Sequence, residues 1–142
     1  MQNKQLILEA AGRLAPRRIG GDRLVADVAA ALVVSTGEVH VGVCLDTASG
    51  TGFCAEAAAI ASMATAGQFD IEKIVAVWRD PQTQALHVLP PCGRCRLFIQ
   101  QVSQRGVATQ IVLDLERTVP LSELLPETEW PEPLDLAGAD AD

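Results

Sequence analysis

Gly52-Phe53-Cys54-Ala55-Glu56-Ala57-Ala58-Ala59-Ile60-Ala61 is a loop of small residues running into a helix. Over Phe53 to Ala66, the residues Ala57, Ile60, Ala61 and Ala64 recur at three- and four-residue steps, and alanine is the strongest helix former. Gly67 is the natural stop. A cysteine at the mouth of this helix is followed two residues later by a single carboxylate, Glu56, among alanines. A carboxylate in such company is either exposed or put to use.

Upstream of this helix, Val25 to Val34 is a valine- and alanine-rich run, Thr36-Gly37-Glu38 turns it, and Val39 to Leu45 alternates valines, which predicts an antiparallel hairpin. Before the hairpin, Leu6, Ile7, Ala10, Ala11 and Leu14 mark the buried stripe of a helix over Gln5 to Leu14. Pro16 ends that helix, and Arg17-Arg18-Ile19-Gly20-Gly21 reads as a loop. Downstream, Ile71 to Trp78 is a nearly continuous apolar strand, consistent with burial on both faces. Arg79-Asp80-Pro81-Gln82 turns the chain into a strand over Ala85 to Leu89. A helix opening at Cys92 and closing near Gly106, a strand over Gln110 to Leu113 and a helical turn over Ser122 to Leu125 complete the order.

Helix, two strands, helix, two strands, helix, strand is most simply buried as a three-layer α/β/α sandwich around a mixed five-stranded sheet. Residues 1–125 form one domain on this reading. From Pro126 the chain is acidic and proline-rich through Glu127, Glu129, Glu132, Asp135, Asp140 and Asp142, which predicts a partly mobile tail over 126–142.

The second chemical motif is Pro91-Cys92-Gly93-Arg94-Cys95-Arg96, again where a loop enters a helix. A helix N-terminus favours thiolate over thiol, and Cys92 and Cys95, three apart, share one side of the first turn. Cys54, Cys92 and Cys95 thus supply three ligands for a zinc ion with one position left open, and Glu56 is a carboxylate placed to move protons beside it. Three thiolates on a dication leave about one negative charge, so a cation ought to compensate. Arg94 and Arg96 flank the motif and are the candidates. Two other readings stay open: a redox dithiol at Cys92 and Cys95, which leaves Cys54 and Glu56 without a role, and a closed structural zinc site with Cys44 as fourth thiolate. His40 and His87 each stand alone and read as exposed or paired strand residues.

Composition bounds the function. The 142 residues carry 49% hydrophobic residues, enough for one core, and a net charge of −7. That charge argues against a nucleic-acid polymer as partner, which needs a basic face, and favours a small metabolite. No apolar run approaches the roughly 20 residues of a membrane span. Met1-Gln2-Asn3-Lys4-Gln5 has no secretory pattern, so the reading is a cytoplasmic chain with reduced thiols.

A cysteine two residues before a glutamate, then Pro-Cys-x-x-Cys, is the all-cysteine form of the zinc nucleobase deaminase signature. The chain resembles the homotetrameric type of cytidine deaminase, and more closely its blasticidin S deaminase branch. The resemblance runs from about Val28 to Leu125 and rests on Val28-Ala29-Ala30-Ala31-Leu32, Cys54-Ala55-Glu56, Pro91 to Arg96, and Glu123-Leu124-Leu125-Pro126. It implies one zinc per subunit on Cys54, Cys92 and Cys95, Glu56 as proton shuttle, a homotetramer, and a small amino-pyrimidine substrate contacted by Cys44, Asp46, Ala55 and Pro91. The chain also departs from that family. Its Asn-x-Glu ribose motif corresponds to Cys44-Leu45-Asp46, its first-strand phenylalanine to Ala26, and the arginine after the glutamate to Ala57. Altered hydroxyl partners relax or redirect sugar recognition, so a modified nucleoside or another amino-heterocycle is as well supported as cytidine.

Overall fold

The computed structural model describes residues 1–138, and Asp140 and Asp142 of the expected tail lie outside them. Its elements are α1 (Asn3–Ala11), β1 (Arg17–Gly20), β2 (Arg23–Val34), β3 (Val39–Asp46), α2 (Ala55–Thr65), β4 (Ile71–Arg79), β5 (Leu86–Leu89), α3 (Gly93–Val102), β6 (Gln110–Val112) and β7 (Thr118–Pro120). The centre of the sheet is the antiparallel β2–β4 pair, in register from Val28 opposite Trp78 to Val34 opposite Ile71. On its other side, β2 carries β3. Parallel β6 pairs β4 through Lys73 and Ile74, and antiparallel β7 closes that edge. The sheet is therefore mixed, as expected.

It has seven strands among the described residues rather than the expected five. The additions are β1 and β7, both short and at edges. Arg17-Arg18-Ile19-Gly20 has no buried face, and its pairing with Leu24 and Val25 of β2 is a backbone matter that side-chain periodicity does not report. In β7, Pro120 removes a ladder donor, which an edge strand tolerates.

Burial of β2 and β4 on both faces explains their unbroken apolar runs. Ala30, Leu32, Val34, Ile74 and Ala76 pack with Ile60 and Met63 of α2 and Ile99 of α3. Ala29, Ala31, Val33, Val75 and Val77 face the opposite layer, where α1 contributes Leu6, Ile7 and Ala10. Each fully buried Leu, Ile or Met is worth about 1.5–3 kcal/mol, so both helical layers are held by the same two strands.

The layer holding α2 and α3 positions the site. At Gly42 of β3, a Cβ would overlap the backbone of Ala58 and Ala59, so only glycine lets α2 lie this close to the sheet. No helix of the described residues is long and apolar enough to cross a membrane.

Candidate metal centre and pocket

The loop ahead of α2 is tied to the end of β3 by a two-way backbone pair: Leu45 N–H donates to the Phe53 carbonyl at 3.1 Å and Phe53 N–H returns at 3.0 Å. Cys54 follows at once, in extended conformation (φ −71°, ψ 158°) at the N-cap of α2, with its sulfur making no capping bond. Cys92 takes the same place on α3 (φ −66°, ψ 168°). The fold thus aims two helix N-termini at one point, with Cys95 one turn into α3. The Cys54 and Cys92 sulfurs are 3.4 Å apart, and the three Sγ atoms lie within 4.8 Å of one another.

The donor set fits a dication. Burial raises the Cys54 thiol, with the neighbouring Cys92 adding to the rise. Burial, then the charges of Glu56 and Cys54, drive Cys95 far above its ordinary range. Cys92 alone is lowered: desolvation opposes its thiolate, but the Cys95 backbone N–H and the two neighbouring thiols outweigh it. Packed this closely, three thiolates would repel one another. A divalent ion is what allows all three to ionise together.

Glu56 is buried, 6% exposed, in the first turn of α2. The Cys95 thiol donates toward its Oε2 at 3.7 Å, and burial pushes its carboxyl above the usual carboxylate range. It faces an inner chamber of about 170 Å³ shared with Cys54, Cys92, Cys44 and the apolar Val28, Leu89 and Pro90. That volume falls below the about 300 Å³ at which sites for drug-sized ligands begin, so the chamber takes a single small ring. Val28, Cys44 and Cys54 also line an outer cavity of about 400 Å³, open between the β3 end and the loop before α2. Asp27, Asp46, Thr47 and Arg94 surround that outer cavity.

The expected substrate contacts divide between the two spaces. Ala55 lines the inner chamber and Asp46 the outer cavity, while Cys44 lies at their junction. Pro91 is buried beside Glu56, and it is Pro90 that lines the chamber. The two arginines also separate. Arg94 is exposed at the rim beside Cys54. Arg96 is engaged with carbonyls rather than sulfurs: its Nε donates to Pro91 O at 2.8 Å and its Nη1 to Leu124 O at 3.0 Å. Cys44 bonds outside the cysteine cluster, its thiol donating to Asp27 Oδ1 at 2.9 Å and its sulfur accepting from Val28 N–H at 3.4 Å. His40 pairs with Gln68 at 2.7 Å, and the His87 ring packs on Trp78.

Asp27 was not among the expected residues. It is placed by a bulge: Val25 faces Leu45 and Ala29 faces Val43, so Ala26, Asp27 and Val28 oppose Cys44 alone. Ala26 takes the left-handed conformation there (φ 60°), and the bend re-aims Asp27 toward Cys44. One signal was available in the sequence, an aspartate interrupting an otherwise apolar strand.

Residues 1–111 match the family model described as cytidine and deoxycytidylate deaminase zinc-binding region. The chain belongs to this family. Blasticidin-S deaminase of Bacillus cereus is 40% identical over 76 residues, 51% of the chain and 54% of that relative, so the match spans about half the relative's length. Among solved structures, a mutant cytidine deaminase from Mycobacterium tuberculosis superposes with a TM-score of 0.73 at 26% identity, covering 92% of this chain and 99% of that one. The cytidine deaminase of Burkholderia pseudomallei gives 0.68 at 26% identity over 89% and 98%. Zinc is accordingly the metal of the family's signature region, and Cys54, Cys92 and Cys95 are the group that can hold it.

Proposed function

We propose that the chain is a hydrolytic deaminase of a cytosine-like amino-heterocycle, releasing ammonia, with Glu56 as its proton shuttle. The observation that carries this is the inner chamber, where a buried carboxylate, two of the three clustered cysteines and an apolar lining enclose the volume of one ring. When held by Cys54, Cys92 and Cys95, zinc supplies the Lewis acidity that makes water a competent nucleophile near neutral pH. Glu56 does the proton work. Its carboxylate takes a proton from the attacking water, passes it to the ring nitrogen beside the amino-bearing carbon, and serves the departing amine in the same way. Burial raises the Glu56 carboxyl toward the working pH, which favours both taking and giving a proton. Val28, Leu89 and Pro90 hold the ring and exclude bulk water. Arg94 at the rim is the remaining candidate to offset the thiolate charge.

Glu56→Gln should retain zinc and lose turnover by about 10²–10⁴-fold, the usual worth of a positioned acid/base group. Metal analysis alongside ammonia release from cytidine, deoxycytidine, cytosine and blasticidin S measures both. Turnover equal to the parent's would remove Glu56 from the mechanism.

The chain is further read as a cytoplasmic homotetramer of single-domain subunits with no nucleic-acid polymer as partner. The net charge of −7 supports the last point. Sedimentation equilibrium tests the assembly, and a monomer at micromolar concentration would overturn it.

A further inference from the structure

Two exposed segments of opposite charge lie outside the metal centre and its pocket. From Pro126 the chain carries Glu127, Glu129, Glu132, Asp135, Asp140 and Asp142 and no basic residue. Its large apolar side chains are the most exposed of the described residues, Trp130 at 95%, Leu134 at 82% and Leu136 at 68%. No strand pairs with this tail among the described residues. The other segment is β1 with its turn, where Arg13, Arg17, Arg18 and Arg23 surround an exposed Ile19. All four arginines are exposed, and none forms an ion pair among the described residues. Exposed apolar groups rimmed by charge mark contact surfaces.

β1 is also an open end of the sheet. It pairs with β2 alone among the described residues, and Ile19 falls in a register shift with no partner residue there. An unpaired edge is a template for a further strand. The tail has the pattern of such a strand, since Trp130, Glu132, Leu134 and Leu136 alternate with Pro131, Pro133 and Asp135. Both prolines fall on one parity, so their missing N–H groups share one edge. That edge faces solvent when Leu134 and Leu136 pair with β1, and the added strand then ends the sheet. Antiparallel pairing of Leu134 with Ile19 sets Asp135 opposite Arg18 and Leu136 opposite Arg17, which matches charge and apolar surface together. Asp135 Oδ1 accepts from Ala137 N–H at 3.1 Å, leaving Oδ2 for the arginine. Other open edges suit an acidic strand less. β7 is three residues ending in Pro120, and β3 runs from beside Glu38 to Asp46.

We propose that the acidic tail of one copy of this chain docks as an added antiparallel strand on the arginine-rich β1 edge of a second copy, with Leu134 opposite Ile19. The occupant is a second copy because within one chain the tail stays exposed and meets no strand. The contact is independent of the deaminase reading.

The test mixes two zinc-loaded variants of the full chain, Ile19→Cys and Leu134→Cys, both at exposed positions. After air oxidation, products are resolved by mass and their linkage is mapped on peptides. A covalent dimer joined through positions 19 and 134 is expected in the mixture, well above the dimer that either variant forms alone. Replacing Ile19→Cys by Arg18→Cys moves the thiol to the opposite face of β1 and should lower the yield about threefold or more. Adding Arg18→Glu to the Ile19→Cys chain, or raising the salt, should lower it about threefold, and adding Asp135→Arg to the other chain should restore what Arg18→Glu removes. No link in the mixture overturns the proposal. So does a link that forms only when both substitutions share one chain, which would seat the tail on its own β1. Equal yields from Ile19→Cys and Arg18→Cys overturn it as well, because random collision has no register. Ammonia release is a separate readout, so failure of this contact leaves the deaminase reading as it stands.

Discussion

The inner chamber and the outer cavity share the wall formed by Val28, Cys44 and Cys54, yet they are built on different principles. The inner one is assembled from helix N-termini: Cys54 and Cys92 occupy the N-cap positions of α2 and α3, and Glu56 lies in the first turn of α2. Its geometry follows from helix periodicity and from the packing of two helices on one sheet face, so few residues can change without loss of the metal. The outer one is assembled from a strand bulge and a loop, where side-chain identity can vary without disturbing the core. The difference separates two kinds of support. The clustered cysteines and Glu56 sit on helix starts, whereas Asp27 and Asp46 sit on a strand bulge and a strand end.

Three perturbations probe that division, beginning with the largest. Gly42 sets how closely α2, which carries the inner chamber, approaches β3, which ends in the outer cavity. Gly42→Val should cost about 1–3 kcal/mol by overpacking and lower the zinc stoichiometry, because Cys54 moves with α2 away from α3. Chemical denaturation with metal analysis measures both. A fully stable variant with full zinc content would show that the two spaces are not mechanically linked.

A smaller effect is expected at Arg96. Its guanidinium joins the carbonyl of Pro91, ahead of α3, to that of Leu124, whose side chain and that of Leu125 pack on the core. Arg96→Met keeps much of the side-chain volume and leaves two half-buried carbonyls without a donor. A loss of about 1–3 kcal/mol is expected, with the preference among the assayed substrates unchanged. A shifted preference would mean that Arg96 acts on the outer cavity after all.

The smallest effect is a pH dependence at Cys44. Its thiol is held in the folded chain at about 11, against an ordinary value of 9.0. A group whose folded pKa is raised contributes stability that is complete below its unfolded pKa and lost as pH climbs through the folded one. Thermal unfolding of the parent and of Cys44→Ser should therefore differ by a constant amount below about pH 8 and converge between about pH 9 and 11. A constant difference across that window would mean that the thiol ionises freely and does not hold Asp27.

The chain's legibility follows the same division. The three cysteines, Glu56 and the helix starts that carry them were readable because ligand spacing and helix periodicity are local. So were β2 and β4, whose unbroken apolar runs match burial between two helical layers. The edge strands β1 and β7 were not, because they are held by backbone pairing to distant segments and bury little. Arg94 and Arg96 looked equivalent in sequence, two residues apart on one turn. Only the folded chain separates a rim guanidinium from one committed to Leu124, 28 residues further along.

What the sequence determined by itself is the cysteine group that can hold a metal, the carboxylate of Glu56 beside it and the alternation of helices and strands, since each is written in spacings of a few residues. What the tertiary structure decided is the outer cavity beside that group. A bulge that sets three residues of β2 against Cys44, and a thiol that turns Asp27 into the outer cavity, join positions 17 residues apart that no local pattern connects.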